Sequence, residues 1–187
     1  MNNLPESVMI AYGLHNQQLQ IEPVGNGLIN HTWKLKGKTA SWILQKINTI
    51  VFPDPAKIEY NISALAAHLK LVNPAYLFTE HILTKEGRGL VKDKNEYYRL
   101  FSFIPDSHTI NIVENVIQAE EAASQFGNFT KQLSGFDCSQ LKITIHHFHD
   151  LSFRYKQFLQ AITNGLPGRL QKADQLIQFL CAQVWIV

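Results

Sequence analysis

Two glycines in a tight turn are the first residues of this sequence whose type and spacing suit a chemical task. The turn reads Gly25-Asn26-Gly27, extends to Asn30 and separates two strand-like segments. Because glycine has no Cβ, backbone N–H groups in such a turn can point at an anion such as a nucleotide phosphate. Asn-Gly is also a favoured turn of ordinary β-hairpins. The turn alone therefore leaves both interpretations open.

A cation for such phosphates is available on a later strand-like segment, residues 41–46, which ends in Gln45 and Lys46. A strand lysine can pair with the α- and β-phosphates of a nucleotide, although a lysine on a strand is more often simply solvent-facing. Adjacent residues of a strand point to opposite faces, so only one of the two can face the nucleotide. Glu59 is placed to partner that lysine, but a carboxylate near a helix N-terminus is favourable in any case.

An aromatic-rich segment, residues 97–105, runs from a strand into a bend. Backbone groups at Ser102, Phe103 and Ile104 could hydrogen-bond the edge of an adenine while apolar side chains enclose its ring. The same pattern is typical of a buried central strand, and the two interpretations are compatible.

Other patterns lack the spacing that their chemistry needs. His146, His147 and His149 are close in sequence, but adjacent histidines of an extended segment do not converge, and no Cys or acidic residue completes a ligand set. Cys138 and Cys181 have no metal or redox spacing and are expected to be free thiols. No G-x-S-x-G segment supports a nucleophilic hydrolase. We assign no metal ligand and no catalytic residue.

The composition describes a globular protein, with 187 residues, 45% apolar and 17% charged, and a formal net charge of +2. Lys and Arg form no run, so the charge pattern does not favour nucleic-acid binding. No signal peptide is recognisable, and the apolar stretch at residues 176–187 is too short to span a bilayer. We expect a cytoplasmic protein that binds neither nucleic acid nor membrane. The low charged fraction indicates a surface covered by more chain or by a partner.

The elements that would position these residues begin with a sheet. Period-two alternation bounded by turn residues predicts strands over residues 18–24, 31–36, 41–47, 76–83 and 96–103. The first three are joined by short turns into an antiparallel meander. A short amphipathic helix over residues 4–12 precedes them and ends at Gly13. A polar loop with Gly87 and Gly89 separates the last two strands.

Helices are predicted between the third and fourth strands and after the last strand. The dipeptide Asp54-Pro55 indicates a helix start, because the aspartate can accept free backbone N–H groups and proline suits the first helical position. Further along, Asn115 and Gln118 have capping-box spacing, and Asp150 indicates another start. A last helix carries an apolar stripe over residues 170–180.

In this order the segments resemble the aminoglycoside phosphotransferase/choline kinase-like superfamily, and most closely its N-acetylhexosamine 1-kinase branch. Three of the longer motifs read GNGLINHT, WILQKIN and YRLFSFI. The full set covers residues 25–32, 42–48, 51–55, 61–62, 98–104, 126–129, 148–150, 154–155 and 168–169. Each motif is moderately specific, and their consistent order over almost the whole chain indicates the family.

The resemblance implies an α+β, protein-kinase-like fold. An antiparallel-sheet N-lobe over residues 1–103 would be followed by the first helices of an incomplete helical C-lobe over residues 104–187. The resemblance further implies that ATP binds between the lobes and that its γ-phosphoryl group passes, with magnesium, to a sugar hydroxyl. By position, the implied nucleotide contacts are Gly25, Asn26, Gly27 and Asn30 over the phosphates, Gln45 or Lys46 with Glu59 beside them, and Ser102, Phe103 and Ile104 at the adenine.

Such kinases use a catalytic Asp in a His-x-Asp-type loop, and an Asn and a second Asp hold magnesium. Both segments would follow the position of Leu180, where this sequence reads CAQVWIV and ends. We therefore expect the chain alone to be inactive, with weak or no ATP binding and with magnesium only in a full-length homologue. Its helices would self-associate or dock with a missing C-terminal part. A non-catalytic pseudokinase-like binding module and a degenerate gene fragment are the alternatives.

Overall fold

The structure is a computed structural model that describes residues 4–25, 27 and 29–187. The chain forms two compact units that divide between Thr144 and Ile145, and each is described by itself. The first unit contains the sheet and the second is helical. The lobe boundary predicted at residue 103 falls inside the first unit and stays a prediction.

One five-stranded antiparallel sheet forms the centre of the first unit. Its strands are β1 (Gln20–Pro23), β2 (His31–Lys36), β3 (Ser41–Ile47), β4 (Leu90–Asp93) and β5 (Glu96–Ser102). Their order across the sheet is β1-β2-β3-β5-β4. The predicted antiparallel meander of the first three strands is confirmed.

Helices flank the sheet in sequence. They are α1 (Glu6–Ala11), α2 (Pro55–Val72) and α3 (Val116–Gln132) in the first unit, and α4 (Leu151–Thr163) and α5 (Pro167–Ala182) in the second. Short 3-10 turns form at Cys138–Gln140 and Val184–Ile186. Among the described residues, no helix combines the length and the apolar character that crossing a membrane needs.

The core of the sheet lies against α1. Leu35, Leu44 and Leu100 of three neighbouring strands are almost completely buried there, together with Val8 of α1 and Leu14. Full burial of one such aliphatic side chain is worth about 1.5–3 kcal/mol relative to exposure. This packing sets which face of the sheet is covered, and with it the direction of every other strand residue.

Side-chain caps begin α3 and α4, as the sequence predicts. Asn115 Oδ1 accepts a hydrogen bond from Gln118 N at 3.0 Å, and Asp150 Oδ1 accepts one from Phe153 N at 2.8 Å. Gln118 Oε1 in turn accepts from Glu114 N at 2.8 Å, one residue before the N-cap. The first turns of both helices therefore have local partners for their unpaired N–H groups.

The predicted start of α2 is confirmed, but its predicted cap is wrong. Pro55 is the first helical residue, and Asp54 makes no side-chain cap bond. Its carboxylate lies instead 4.0 Å from Lys57 Nζ.

The strand predicted over residues 76–83 is wrong, and β4 replaces it in the sheet. Leu90–Asp93 pairs with Glu96–Arg99 and occupies the outer edge of β5. The earlier segment keeps one backbone bond to β5, from Ile82 N to Leu100 O at 2.8 Å. The sequence pattern does not predict β4, because only two of its four residues are apolar and they follow a glycine-containing loop.

Candidate nucleotide site

The sheet has two faces with different chemistry. Residues paired across neighbouring strands point to the same face, and the next residue along each strand points to the other. Leu44 and its partner Leu100 point into the core under α1, and this side is called the α1 face. Gln45 is paired with Thr32 and Arg99, so these three lie on the opposite side, called the second face.

Lys46 lies on the α1 face. Its Nζ is 2.8 Å from Glu96 Oε1, and the Tyr98 hydroxyl donates to the other oxygen of the same carboxylate. These hydrogen bonds, that of Lys46 first, hold the pKa of Glu96 below its usual range. The ion pair borders an open depression of about 950 Å³ beside α1. The strand lysine thus has a carboxylate partner, but on the face opposite Gln45, and the partner is not Glu59.

Gln45 joins three strands on the second face. Its Oε1 accepts hydrogen bonds from Arg99 Nε at 2.9 Å and Arg99 Nη2 at 2.6 Å, and its Nε2 donates to Thr32 Oγ1 at 3.1 Å. Burial lowers the pKa of the Arg99 guanidinium, although an arginine remains protonated in proteins. The second face therefore holds a fixed positive charge on β5, oriented by a neutral amide on β3.

An aromatic ring lies beside this guanidinium and carries a stacked imidazole. Arg99 Cζ lies 5.1 Å from the centroid of the Phe101 ring, and the imidazole of His81 stacks on the same ring at 5.2 Å. Neither ring nitrogen of His81 has a hydrogen-bond partner among the described residues. Burial, followed by the charge of Arg99, lowers the pKa of His81 to about 4. His81 is therefore neutral at physiological pH, and Arg99 supplies the charge of this cluster.

Glu59 reaches from α2 to the loop before β4. Its Oε1 accepts a hydrogen bond from Gly89 N, and the Gly89 carbonyl accepts one from the Tyr12 hydroxyl at 3.1 Å. Burial, and after it the charge of Glu59, raises the pKa of Tyr12. A Cβ on Gly89 would lie 2.9 Å from the carboxylate oxygen, which explains the glycine. Glu59 anchors this loop, and the predicted pairing with Lys46 is not formed.

The structure describes Gly25, Gly27, Ile29 and Asn30 of the glycine turn. That its N–H groups point at an anion stays a prediction. Gly25 has φ +75, a conformation that side chains with a Cβ rarely adopt. Asn30 Oδ1 accepts a hydrogen bond from Asn48 N at 2.9 Å, so its side chain ties the end of the turn to the end of β3. A small cavity of about 240 Å³ lies between the turn, which includes Gly27, and the start of β2. The predicted contact Asn26 lies outside the described residues.

The predicted adenine contacts form the end of β5 and the segment after it. Phe103 N donates to Ser41 O at 3.0 Å, which extends the pairing of β5 with β3 by one bond. Ile104 O accepts a hydrogen bond from the Ser107 hydroxyl at 2.6 Å. Ser102 is exposed. The structure brings these residues to the C-terminal end of β5, and their contact with adenine stays a prediction.

An open cavity of about 540 Å³ lies between the β2–β3 hairpin and residues 103–107, which are called the connector. Its lining includes Lys34, Lys36 and Lys38 of the hairpin and Phe103 and Pro105 of the connector. Lys34 Nζ lies 3.5 Å from the centroid of the Phe103 ring, a cation–π contact. The cavity combines an aromatic ring with positive charge, which suits an aromatic anion.

Comparison with known proteins gives the fold. No known protein-family model matches the chain. Spectinomycin phosphotransferase APH(9)-Ia, solved with ADP and spectinomycin, is similar over 92% of this chain and 53% of its own, with TM-score 0.55 and 14% identity. The amicoumacin kinase hAmiN, solved with AMP-PNP, Ca2+ and Ami, is similar over 88% and 49%, with the same TM-score and identity. The chain has a protein-kinase-like fold.

At this identity the likeness concerns the fold and not the substrate. It confirms the predicted α+β, protein-kinase-like N-lobe. The chain spans about half the length of each of these two structures.

Sequence reasoning missed Arg99 and His81 as members of the polar cluster. The sequence signal for Arg99 was its place in the middle of an aromatic-rich strand. A charged residue with apolar neighbours is rarely buried without a specific partner. The strand predicted over residues 96–103 contains Arg99, but the cross-strand register that places it opposite Gln45 is not visible in the local pattern.

Proposed function

We propose that this chain is the nucleotide-binding portion of an ATP-dependent phosphotransferase whose acceptor is a sugar hydroxyl of the N-acetylhexosamine kind. The observation that carries the proposal is the glycine turn between β1 and β2 of a kinase-like sheet, next to a face that bears positive charge. The solved structures with this fold include a phosphotransferase bound to ADP and a kinase bound to AMP-PNP. The sugar acceptor rests on the sequence resemblance.

Each part of the proposed site has an assigned task. Backbone N–H groups of Gly25 and Gly27 would donate hydrogen bonds to phosphate oxygens, and Asn30 would hold the turn in place. Residues 102–104 would meet the adenine edge, and Ile43 and Phe101, which are paired on the second face, would cover its ring. Positive charge on this face would offset the negative charge of the phosphates.

Magnesium is not assigned to residues of this chain. Among the described residues, no three His, Cys, Asp or Glu side chains group together as a metal site would need. Phosphoryl transfer relies on metal ions and on a positioned base for the acceptor hydroxyl. We therefore expect the 187-residue polypeptide by itself to bind nucleotide weakly and to transfer no phosphate.

Nucleotide titration with a matched pair of glycine variants tests the proposal. Gly25 has φ +75 and Gly87, in a loop remote in sequence, has φ +76. Valine at either position strains the backbone by about 1–2 kcal/mol. ATP should raise the melting temperature of the wild type and of Gly87→Val, and Gly25→Val should lose that response.

Two results would contradict the proposal. Equal ATP responses in the two valine variants would show that the glycine turn is not part of the nucleotide site. A melting temperature that responds to a sugar or a protein ligand but never to ATP would favour the non-catalytic binding module. ATP-dependent phosphorylation of N-acetylhexosamine by the purified chain would overturn the expected inactivity.

A further inference from the structure

The cation that a kinase-like site requires is not supplied by the strand lysine in this chain. Lys46 points to the α1 face, and its ammonium is already bonded to the Glu96 carboxylate. To reach the second face it would have to break that ion pair and pass through β3. The position that faces the proposed nucleotide is instead occupied by Gln45, which has no charge.

Arg99 is built into the second face next to that glutamine. Gln45 Oε1 accepts from Nε and Nη2, which are adjacent corners of the guanidinium. A guanidinium has five N–H donors, so donors remain, including those of Nη1. Arg99 forms no ion pair with any residue that the structure describes. Because the partner of this half-buried guanidinium is a neutral amide, its positive charge is not neutralised by that contact.

We infer that Arg99, oriented by Gln45, is the cation that contacts the nucleotide phosphates in place of a lysine on β3. The inference rests on the proposed function and adds to it the residue that provides the charge. Gln45 acts as a positioning residue, since it holds the planar fork in one orientation across β3 and β5. Two parallel N–H groups then match two phosphate oxygens, which a lysine ammonium cannot do.

Lys34 is the competing candidate on the same face, and its placement separates it from Arg99. Its ammonium lies on the Phe103 ring, at the connector end of the sheet, where the adenine is expected. Lys34 is paired with Ile43, two residues before Gln45 on β3. Arg99 is paired with Gln45 itself and lies in the same row as Thr32, at the end of β2 nearest the glycine turn.

The test compares ATP, ADP and adenosine binding to the complete chain by isothermal titration. Arg99→Met should weaken ATP and ADP binding by about 10- to 100-fold, the worth of one charged hydrogen-bonded contact, and leave adenosine binding unchanged. Arg99→Lys should restore part of the loss, since it returns the charge without the fork. Lys46→Met is the matched control and should change none of the three affinities by more than about twofold.

A structural role of Arg99 would not separate adenosine from ATP, so that difference is the decisive measurement. If Arg99→Met fails to fold, Gln45→Leu removes the positioning amide and should weaken ATP and ADP by about threefold or more, again with adenosine unaffected. Loss of ATP affinity in Lys46→Met but not in the Arg99 variants overturns the inference and leaves the proposed function standing. A wild-type chain that binds neither ATP nor adenosine overturns both.

Discussion

The sheet of the first unit and the helices α3, α4 and α5 differ in what they bury. Leu44 and Leu100 lose nearly all their solvent exposure in the sheet core, whereas none of these three helices contains a buried residue. Their large apolar side chains include Phe126, which is 75% exposed, and Leu176, which is 68% exposed. The precise geometry that a binding site needs is therefore available in the sheet.

The polar contacts show the same contrast. In the sheet they join residues far apart in sequence, such as Arg99 with Gln45 and Lys46 with Glu96. In α3, α4 and α5 most of them are local, as in the cap of Asp150 on Phe153, although Ser152 Oγ of α4 donates to Val187 O at 3.3 Å. Local bonds can form in an isolated helix, but long-range bonds require the packed fold. The sheet should accordingly respond to core changes, and the helices to changes in their own turns.

The largest expected effect follows from deleting a buried side chain. Leu44→Ala should lower the free energy of unfolding of the sheet by about 3–4 kcal/mol, because it removes burial and leaves a cavity. Leu176→Ala, the matched deletion in α5, should cost less than about 0.5 kcal/mol. Urea unfolding is followed by the fluorescence of Trp33 and Trp42 in a background in which the exposed Trp185 is replaced by phenylalanine.

Equal costs for the two leucines would break the comparison. In that case α5 is covered in solution by something other than the described residues of this chain. Repeating the experiment at two protein concentrations identifies the source, because coverage by a second copy makes the cost of Leu176→Ala depend on concentration.

The next effect is a pH dependence that belongs to the sheet. The pKa of His81 falls from its ordinary value of 6.5 to about 4 in the fold, first through burial and then through the charge of Arg99. Between these values the unfolded chain binds a proton that the folded chain does not, so stability falls as the pH falls. The loss should reach about 2 kcal/mol between pH 6.5 and 4.5, measured by the same tryptophan fluorescence.

His81→Gln is the control, because glutamine does not titrate in this range. Its unfolding free energy should stay nearly level from pH 6.5 to 4.5. The carboxyl groups with lowered pKa values, Glu96, Asp137 and Asp150, lose their contribution only as the pH falls from about 4.5 downwards, and so do not obscure this window. A wild-type chain with no pH dependence above 4.5 would show that the fold does not lower the pKa of His81.

Local patterns predicted the elements whose signals are local. The bounds of β2 and β3 follow from period-two alternation between turn residues, and Asn115 and Asp150 mark helix starts correctly. The segment of residues 76–83 has the same local pattern as a strand, but the edge of β5 is taken by β4. Competition for one edge is decided by the register of the whole sheet, which no local window contains.

The candidate site shows the same limit. The sequence indicates the glycine turn and the pair Gln45 and Lys46, and it leaves open which of the two faces the nucleotide. The packing of α1 on the row of Leu44 decides which face of the sheet each of them occupies, because it turns Lys46 to the α1 face. Arg99 becomes a neighbour of Gln45 only when β5 is aligned beside β3. Which face is covered and which strands are neighbours are both long-range properties of the chain.

The smallest predicted effect tests the local character of the helices. Asp150→Ala removes an acceptor that Phe153 N uses, and should destabilise the first turn of α4 by about 1 kcal/mol. Asp54→Ala in α2 should cost only a few tenths of a kcal/mol, because Asp54 makes no side-chain cap bond. Amide hydrogen exchange at Phe153 and at Lys57 measures the two turns separately. Asp150→Asn keeps the acceptor and should leave amide exchange at Phe153 nearly unchanged. Equal acceleration of that exchange by both Asp150 variants would assign the effect to the charge of Asp150 instead of its hydrogen bond.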